Sequence, residues 1–143
     1  MQDLHGSIKY VPALVPGTYA NVGAGPTVVG TPIVIDLQGA RGCEFVIVTG
    51  TQTDTGATYA VTMDDGAASS LSDAAAVTTA AHGLIGSLTD ASYDQTADGV
   101  CKKVGYAGNK RYVRLTITET GATSGDSPVA VIAALWMMKG PQS

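Results

Sequence analysis

The stretch Thr58-Tyr59-Ala60-Val61-Thr62-Met63 alternates large apolar side chains with small or polar ones and runs directly into Asp64-Asp65-Gly66. Tyr59, Val61 and Met63 fall on one side of an extended chain, and Thr58, Ala60 and Thr62 on the other. This is the period-two signature of a half-buried β-strand. Asp64-Asp65-Gly66 has turn chemistry and is expected to end it. The same period recurs downstream, where Val113, Leu115 and Ile117 oppose Tyr112, Arg114, Thr116 and Thr118. Upstream, Ile33, Ile35 and Leu37 alternate with Val34 and Asp36, and the turn Gly39-Ala40-Arg41-Gly42 precedes an apolar strand from Cys43 to Thr49. After Pro128, the set Val129, Val131, Ala133, Leu135 and Met137 interleaves with Ala130, Ile132, Ala134, Trp136 and Met138. Both faces of that last strand are apolar, so its second face needs another layer or a partner.

The remaining segments connect these strands. Gly50 to Gly56 reads as a polar loop, and residues 67–83 as an irregular connection in which Asp73 could cap a short helix through Ala74-Ala75-Ala76. Leu84-Ile85 starts a short strand, and a polar loop follows to Asp98-Gly99. Val100 to Tyr106 and Arg111 to Thr118 read as a strand pair joined at Ala107-Gly108-Asn109-Lys110. No crossover helices separate the strands, which excludes a βαβ architecture. About seven or eight strands at this spacing predict an all-β fold, a two-sheet antiparallel sandwich of jelly-roll or immunoglobulin-like type. Residues 1–30 hold Pro12, Pro16 and Pro26 among five glycines. Proline removes ladder donors, so this stretch cannot be a central strand and reads as an extended N-terminal arm lying on a surface. The sandwich domain is then residues 31–143.

Composition narrows the function. Of 143 residues, 45% are apolar and 14% charged, which suits one domain with a real core. The net charge of −4 gives no overall field to attract nucleic acid or an anionic membrane. The opening Met1-Gln2-Asp3-Leu4-His5-Gly6 lacks the basic and apolar parts of a secretory signal, so synthesis and folding in a cytoplasm are expected. The longest apolar run is about half of what a bilayer crossing needs.

Catalytic chemistry is hard to find. His5 and His82 are expected as solvated loop side chains, and Cys43 and Cys101 as small buried hydrophobes. Gly23-Ala24-Gly25-Pro26 departs from a phosphate-binding loop, because Pro26 removes a backbone donor. Gly121-Ala122-Thr123-Ser124-Gly125 displaces its serine from the nucleophile-elbow position. The expectation is a non-enzyme with no cofactor and no metal.

One charge feature stands out. Lys102, Lys103, Lys110, Arg111 and Arg114 are five of the eight basic residues, with Tyr106 and Tyr112 among them. Arginine beside tyrosine suits a protein contact edge. A solvated hairpin whose lysines discourage edge pairing fits equally. Candidate interaction residues are therefore Lys102, Lys103, Lys110, Arg111, Tyr112 and Arg114, together with Trp136 and Met138 on the last strand and Tyr10 and Leu14 in the arm.

The run Val104-Gly105-Tyr106-Ala107-Gly108-Asn109-Lys110-Arg111-Tyr112-Val113-Arg114, followed by Thr116-Ile117-Thr118 and the apolar last strand, resembles the capsid decoration (cement) proteins of tailed phages. Asp36-Leu37-Gln38-Gly39, Thr53-Asp54 and Leu84-Ile85-Gly86-Ser87 add to the resemblance, which covers about residue 30 to the end. It implies a jelly-roll structural virion protein on the outer surface of a capsid, made in the host cytoplasm. Its partners would be the HK97-type major capsid protein, whose neighbouring subunits it would bridge, and itself, as a dimer or trimer. The family offers no catalytic residues to transfer. The alternative is a carbohydrate- or receptor-binding module of a head fibre or tail.

Overall fold

The computed structural model describes residues 4–20 and 25–138. Strands β1 (Ile8–Ala20), β11 (Asp126–Met137), β4 (Ala40–Thr49), β9 (Cys101–Tyr106) and β7 (Leu84–Ile85) form one sheet in that spatial order. The second sheet runs β2 (Thr27–Val28), β10 (Tyr112–Thr120), β5 (Thr58–Gly66), β6 (Ala75–Ala76). Two short strands join its sides: β3 (Ile35–Asp36) pairs with β10, and β8 (Tyr93–Asp94) with β5. Every pairing is antiparallel.

The pairings nest. The first strand pairs with the last, β2 and β3 with β10, β4 with β9, and β5 with β6 and β8. A strip doubled back on itself and wrapped around a core in this way is a jelly roll, which resolves the topology that periodicity left open. The alternating rows point inward as their period demands. Phe45, Ile47, Val131 and Leu135 from the first sheet meet Tyr59, Met63, Val113 and Ile117 from the second in one buried cluster.

The segment expected as an arm is extended, and the surface it lies on belongs to its own chain. β1 pairs with β11 from Ile8 opposite Trp136 to Ala20 opposite Asp126. It is the outermost strand of its sheet, where a missing N–H is tolerated, and its register shifts at Pro12/Leu14 and Leu14/Gly17. Leu14, expected at a contact surface, is 4% exposed and part of the core, so it is not available to a partner.

Three further readings are corrected. Val100–Tyr106 and Arg111–Thr118 do not form a hairpin, because β9 pairs with β4 and β7 whereas β10 pairs with β5. The link between them carries the chain from one sheet to the other, so that Tyr106 and Val113 can both face the core. Asp64-Asp65-Gly66 is not a turn but the end of β5, paired with Arg114, Val113 and Tyr112. Asp73 caps no helix; its carboxylate accepts from the backbone N–H groups of Ala67 and Ala68.

Candidate interaction surface

The outward face of the first sheet carries the residues that the inward rows leave over, and they are largely apolar. Register sets them in rows across the strands. One row is Tyr10, Ala134, Glu44, Gly105 and Ile85; the next is Pro12, Ile132, Val46 and Lys103. Tyr10 is 64% exposed, Trp136 60%, Ile85 55% and Met138 52%. Leu4, Val48 and Ile132 are exposed on the same side of the molecule. No layer of the described chain covers this face, so the second apolar side of β11 meets solvent.

Small side chains make the face concave. Gly42, Gly105 and Ala134 form the floor of a groove of about 530 Å³, with Leu4, Ile8, Ile85 and Trp136 along its sides. Gly42 is required there, since a Cβ would come 2.5 Å from the Tyr106 carbonyl oxygen. Arg41 and Glu44 supply charge at the groove, and the Arg41 guanidinium sits 6.0 Å from the Trp136 ring centre.

The basic cluster is distributed differently, because its two strands belong to different sheets. Lys102 donates to the carbonyl of Asp90, and Lys103 lies 3.5 Å from Glu44, an exposed pair. Arg111 grips Asp36 with two hydrogen bonds of 2.9 Å, reaches Gln38 Oε1 at 2.6 Å, and lies over the Tyr112 ring. Its fork holds the Asp36 carboxyl down at about 2. Arg114 bonds Asp64 at 3.3 Å across the β10–β5 pair. Both arginines therefore clamp neighbouring strands of their own sheet.

The link between the sheets is itself locked. Tyr106, fully buried at the end of β9, donates its hydroxyl to Asp65 at 2.5 Å on the opposite sheet and accepts from the Lys110 N–H at 3.2 Å. Burial and the Asp65 carboxylate raise the phenol's pKa. Gly108 lies flat against the Tyr106 ring, and any Cβ would overlap it. His82, expected as a solvated side chain, is instead only 33% exposed and meets Asp65 at 3.1 Å. The Gly-Tyr-x-Gly-x-Lys-Arg-Tyr-x-Arg run thus builds a corner.

A second polar cluster fills the other end of β5. Asp54 and Glu119 are both 5% exposed, and the Tyr59 hydroxyl lies 2.7 Å from Asp54 Oδ2 and 3.4 Å from Glu119 Oε1. Tyr93 stacks on Tyr59 with ring centres 4.6 Å apart. Burial first, and the adjoining Asp54 second, raise the Glu119 carboxyl to about 7. Sequence reasoning missed this cluster, although a signal existed: Glu119 continues the inward row Val113, Leu115, Ile117.

Cys43 is buried and its thiol is pushed up to about 12 by that burial, whereas Cys101, also expected inside, is exposed. Gly23 and Ala24 of the glycine-rich loop lie outside the described residues. Among the described residues no group of three or more His, Cys, Asp and Glu side chains could hold a metal ion. No helix there is long and apolar enough to cross a membrane. Comparison with protein-family models, with curated proteins and with solved structures gives no match.

Proposed function

We propose that this protein is a structural decoration protein of an icosahedral phage capsid. It would adhere to the outer shell surface and stabilise it by bridging neighbouring major capsid protein subunits. The observation that carries this reading is the uncovered apolar face of the first sheet. Tyr10, Trp136, Ile85 and Met138 are each more than half exposed on it, and a run of exposed apolar side chains across one face marks an interaction site. The resemblance of the 104–114 run supports the shell as the partner, and a dimer or trimer would multiply modest contacts into firm attachment.

The test is thermal rupture of cognate shells followed by light scattering, with and without added protein. Shells coated with the protein should rupture at a higher temperature, and shells coated with Trp136→Ser protein should behave as bare ones. Identical rupture curves for bare and coated shells would remove the proposal. A second reading, a carbohydrate-binding module, draws on Trp136 standing exposed in a groove beside Arg41 and Glu44. Retention on a glycan array without affinity for shells would favour it.

A further inference from the structure

We infer that Asp54 and Glu119 share a single proton in the folded protein, which makes one end of the sandwich a pH-sensitive latch between its two sheets. The argument begins with donor supply. The Tyr59 hydroxyl has one hydrogen and two carboxyl groups within reach, at 2.7 Å and 3.4 Å, so it can satisfy only the nearer. Asp54 Oδ1 has no hydrogen-bond partner among the described residues; the nearby Tyr93 and Ser127 hydroxyls are likewise unpartnered and so do not donate to it, and a hydrogen on the Glu119 carboxyl supplies the missing donor.

No cation among the described residues relieves the pair. The groups that reach Glu119 are Asp54 from the loop after β4, Tyr59 from β5 and Tyr93 from β8, with Ser127 of β11 beside the two tyrosines. On the remaining side Glu119 pairs in register with Thr27 of β2. The ion pairs among the described residues use Glu44, Asp36, Asp64 and Asp65 and touch neither Asp54 nor Glu119. Two buried carboxylates converging on one hydroxyl repel each other when both are ionised, and that repulsion favours a proton on one of them.

The location gives the proton a mechanical consequence. Asp54 lies in the crossover from β4 to β5, and Glu119 lies just before the crossover from β10 to β11. Those two crossovers are stitched by the Thr53 N–H to Asp126 O bond at 3.0 Å and by the Thr55–Thr123 hydroxyl pair at 2.6 Å. Loss of the shared proton to solvent places two negative charges between them and pushes this end of the sandwich apart.

The sign follows from linkage. The Glu119 carboxyl is raised to about 7 in the folded protein. An unperturbed Glu titrates near 4.3. The folded state therefore holds a proton that the unfolded chain has released, and stability declines as pH rises through that window and levels off above it.

Thermal unfolding of the intact protein from about pH 5 to about pH 9 should show Tm falling by roughly 5–10 °C. Infrared spectra over the same range should show the carbonyl stretch of an undissociated carboxylic acid at the acidic end and its loss at the alkaline end. Glu119→Gln, which keeps a donor but cannot titrate, should flatten the Tm profile and remove that band. The infrared measurement on the unaltered protein decides the question even if the variant does not fold. A flat Tm profile without the acid band would overturn the proposal. So would saturable stabilisation by calcium at the alkaline end that Glu119→Gln abolishes, since the pair would then be a cation site.

Discussion

Replacing Tyr106 by Phe removes one oxygen and tests whether the Gly-Tyr-x-Gly-x-Lys-Arg-Tyr-x-Arg run is architectural. The ring, buried against Gly108 at the sheet-to-sheet corner, keeps its packing. What disappears is the donor 2.5 Å from Asp65, a carboxylate with no exposure, and the acceptor for the Lys110 N–H at 3.2 Å. Lys110 is exposed and water replaces the lost acceptor, so that part costs little. Among the described residues Asp65 then retains only His82, at 3.1 Å. A hydrogen bond to a charged group contributes roughly 1.5–3 kcal/mol, and the orphaned buried acceptor places this case at the upper end, about 3 kcal/mol. For a domain of this size that corresponds to a Tm lower by roughly 6–12 °C. Urea unfolding followed by far-ultraviolet circular dichroism is the suitable assay. The only tryptophan, Trp136, is already 60% exposed and is a poor fluorescent reporter of unfolding. A loss below about 0.5 kcal/mol would refute the account of the corner as a lock. If Asp65→Leu is combined with Tyr106→Phe, the two costs should not add, because the second removes a partner that the first has already lost.

Trp136→Ser and Ile132→Asp on the open sheet face should shift the Tm of the isolated protein by no more than a few degrees while lowering its co-sedimentation with shells at least tenfold. A large stability loss with binding intact would show that the face is structural. Arg111→Met should return the Asp36 carboxyl from about 2 toward its ordinary value. The clamp's contribution is present above the ordinary carboxylate range and lost as pH falls through about 2, so an Asp36 titration followed by nuclear magnetic resonance checks both its size and its sign. A thiol-specific reagent at neutral pH should label Cys101 in the folded protein and leave Cys43 untouched until denaturant is added, with mass spectrometry locating the label.

Period-two rows were sufficient to read the central strands, because each buries one face and period two admits one such face. The inward residues Tyr59, Val61 and Met63 of β5 and Val113, Leu115 and Ile117 of β10 are where alternation places them. The turn reading of Asp64-Asp65-Gly66 failed for a physical reason. Charged residues at a strand end resemble turn chemistry, yet Asp65 continues the inward row of β5 because Tyr106 and His82 reach it from elsewhere in the chain. Glu119 is the same case on β10. An acid in phase with an apolar row signals a buried polar partner, and its source lies many residues away, where a local reading does not look. The supposed hairpin failed for a related reason. Periodicity assigns faces to strands but not strands to sheets, and here β9 pairs with β4 and β7 whereas β10 pairs with β5.

These two buried acids also explain why the apolar outer face can be left open. A sheet with one uncovered hydrophobic side gains nothing from water on that side, so its rigidity must come from within. Tyr106–Asp65 secures the first sheet to the second at one end of β5, and the Asp54–Tyr59–Glu119 cluster occupies the other end, with Arg111 and Arg114 clamping β10 to its neighbours. Arg111 and Arg114, two of the five basic residues expected at a contact edge, are engaged in this internal bracing, and on the proposed reading contact falls to exposed side chains of the open face: Tyr10, Ile132, Trp136 and Met138. A pre-braced sheet loses little conformational freedom when it docks, which leaves more of its burial energy for attachment. Weakening a brace should therefore reduce shell binding even when no contact residue is touched. Tyr106 borders the groove, but its side chain is fully buried, so Tyr106→Phe removes a hydroxyl bonded to Asp65 and changes no exposed side chain, which separates that effect from direct contact.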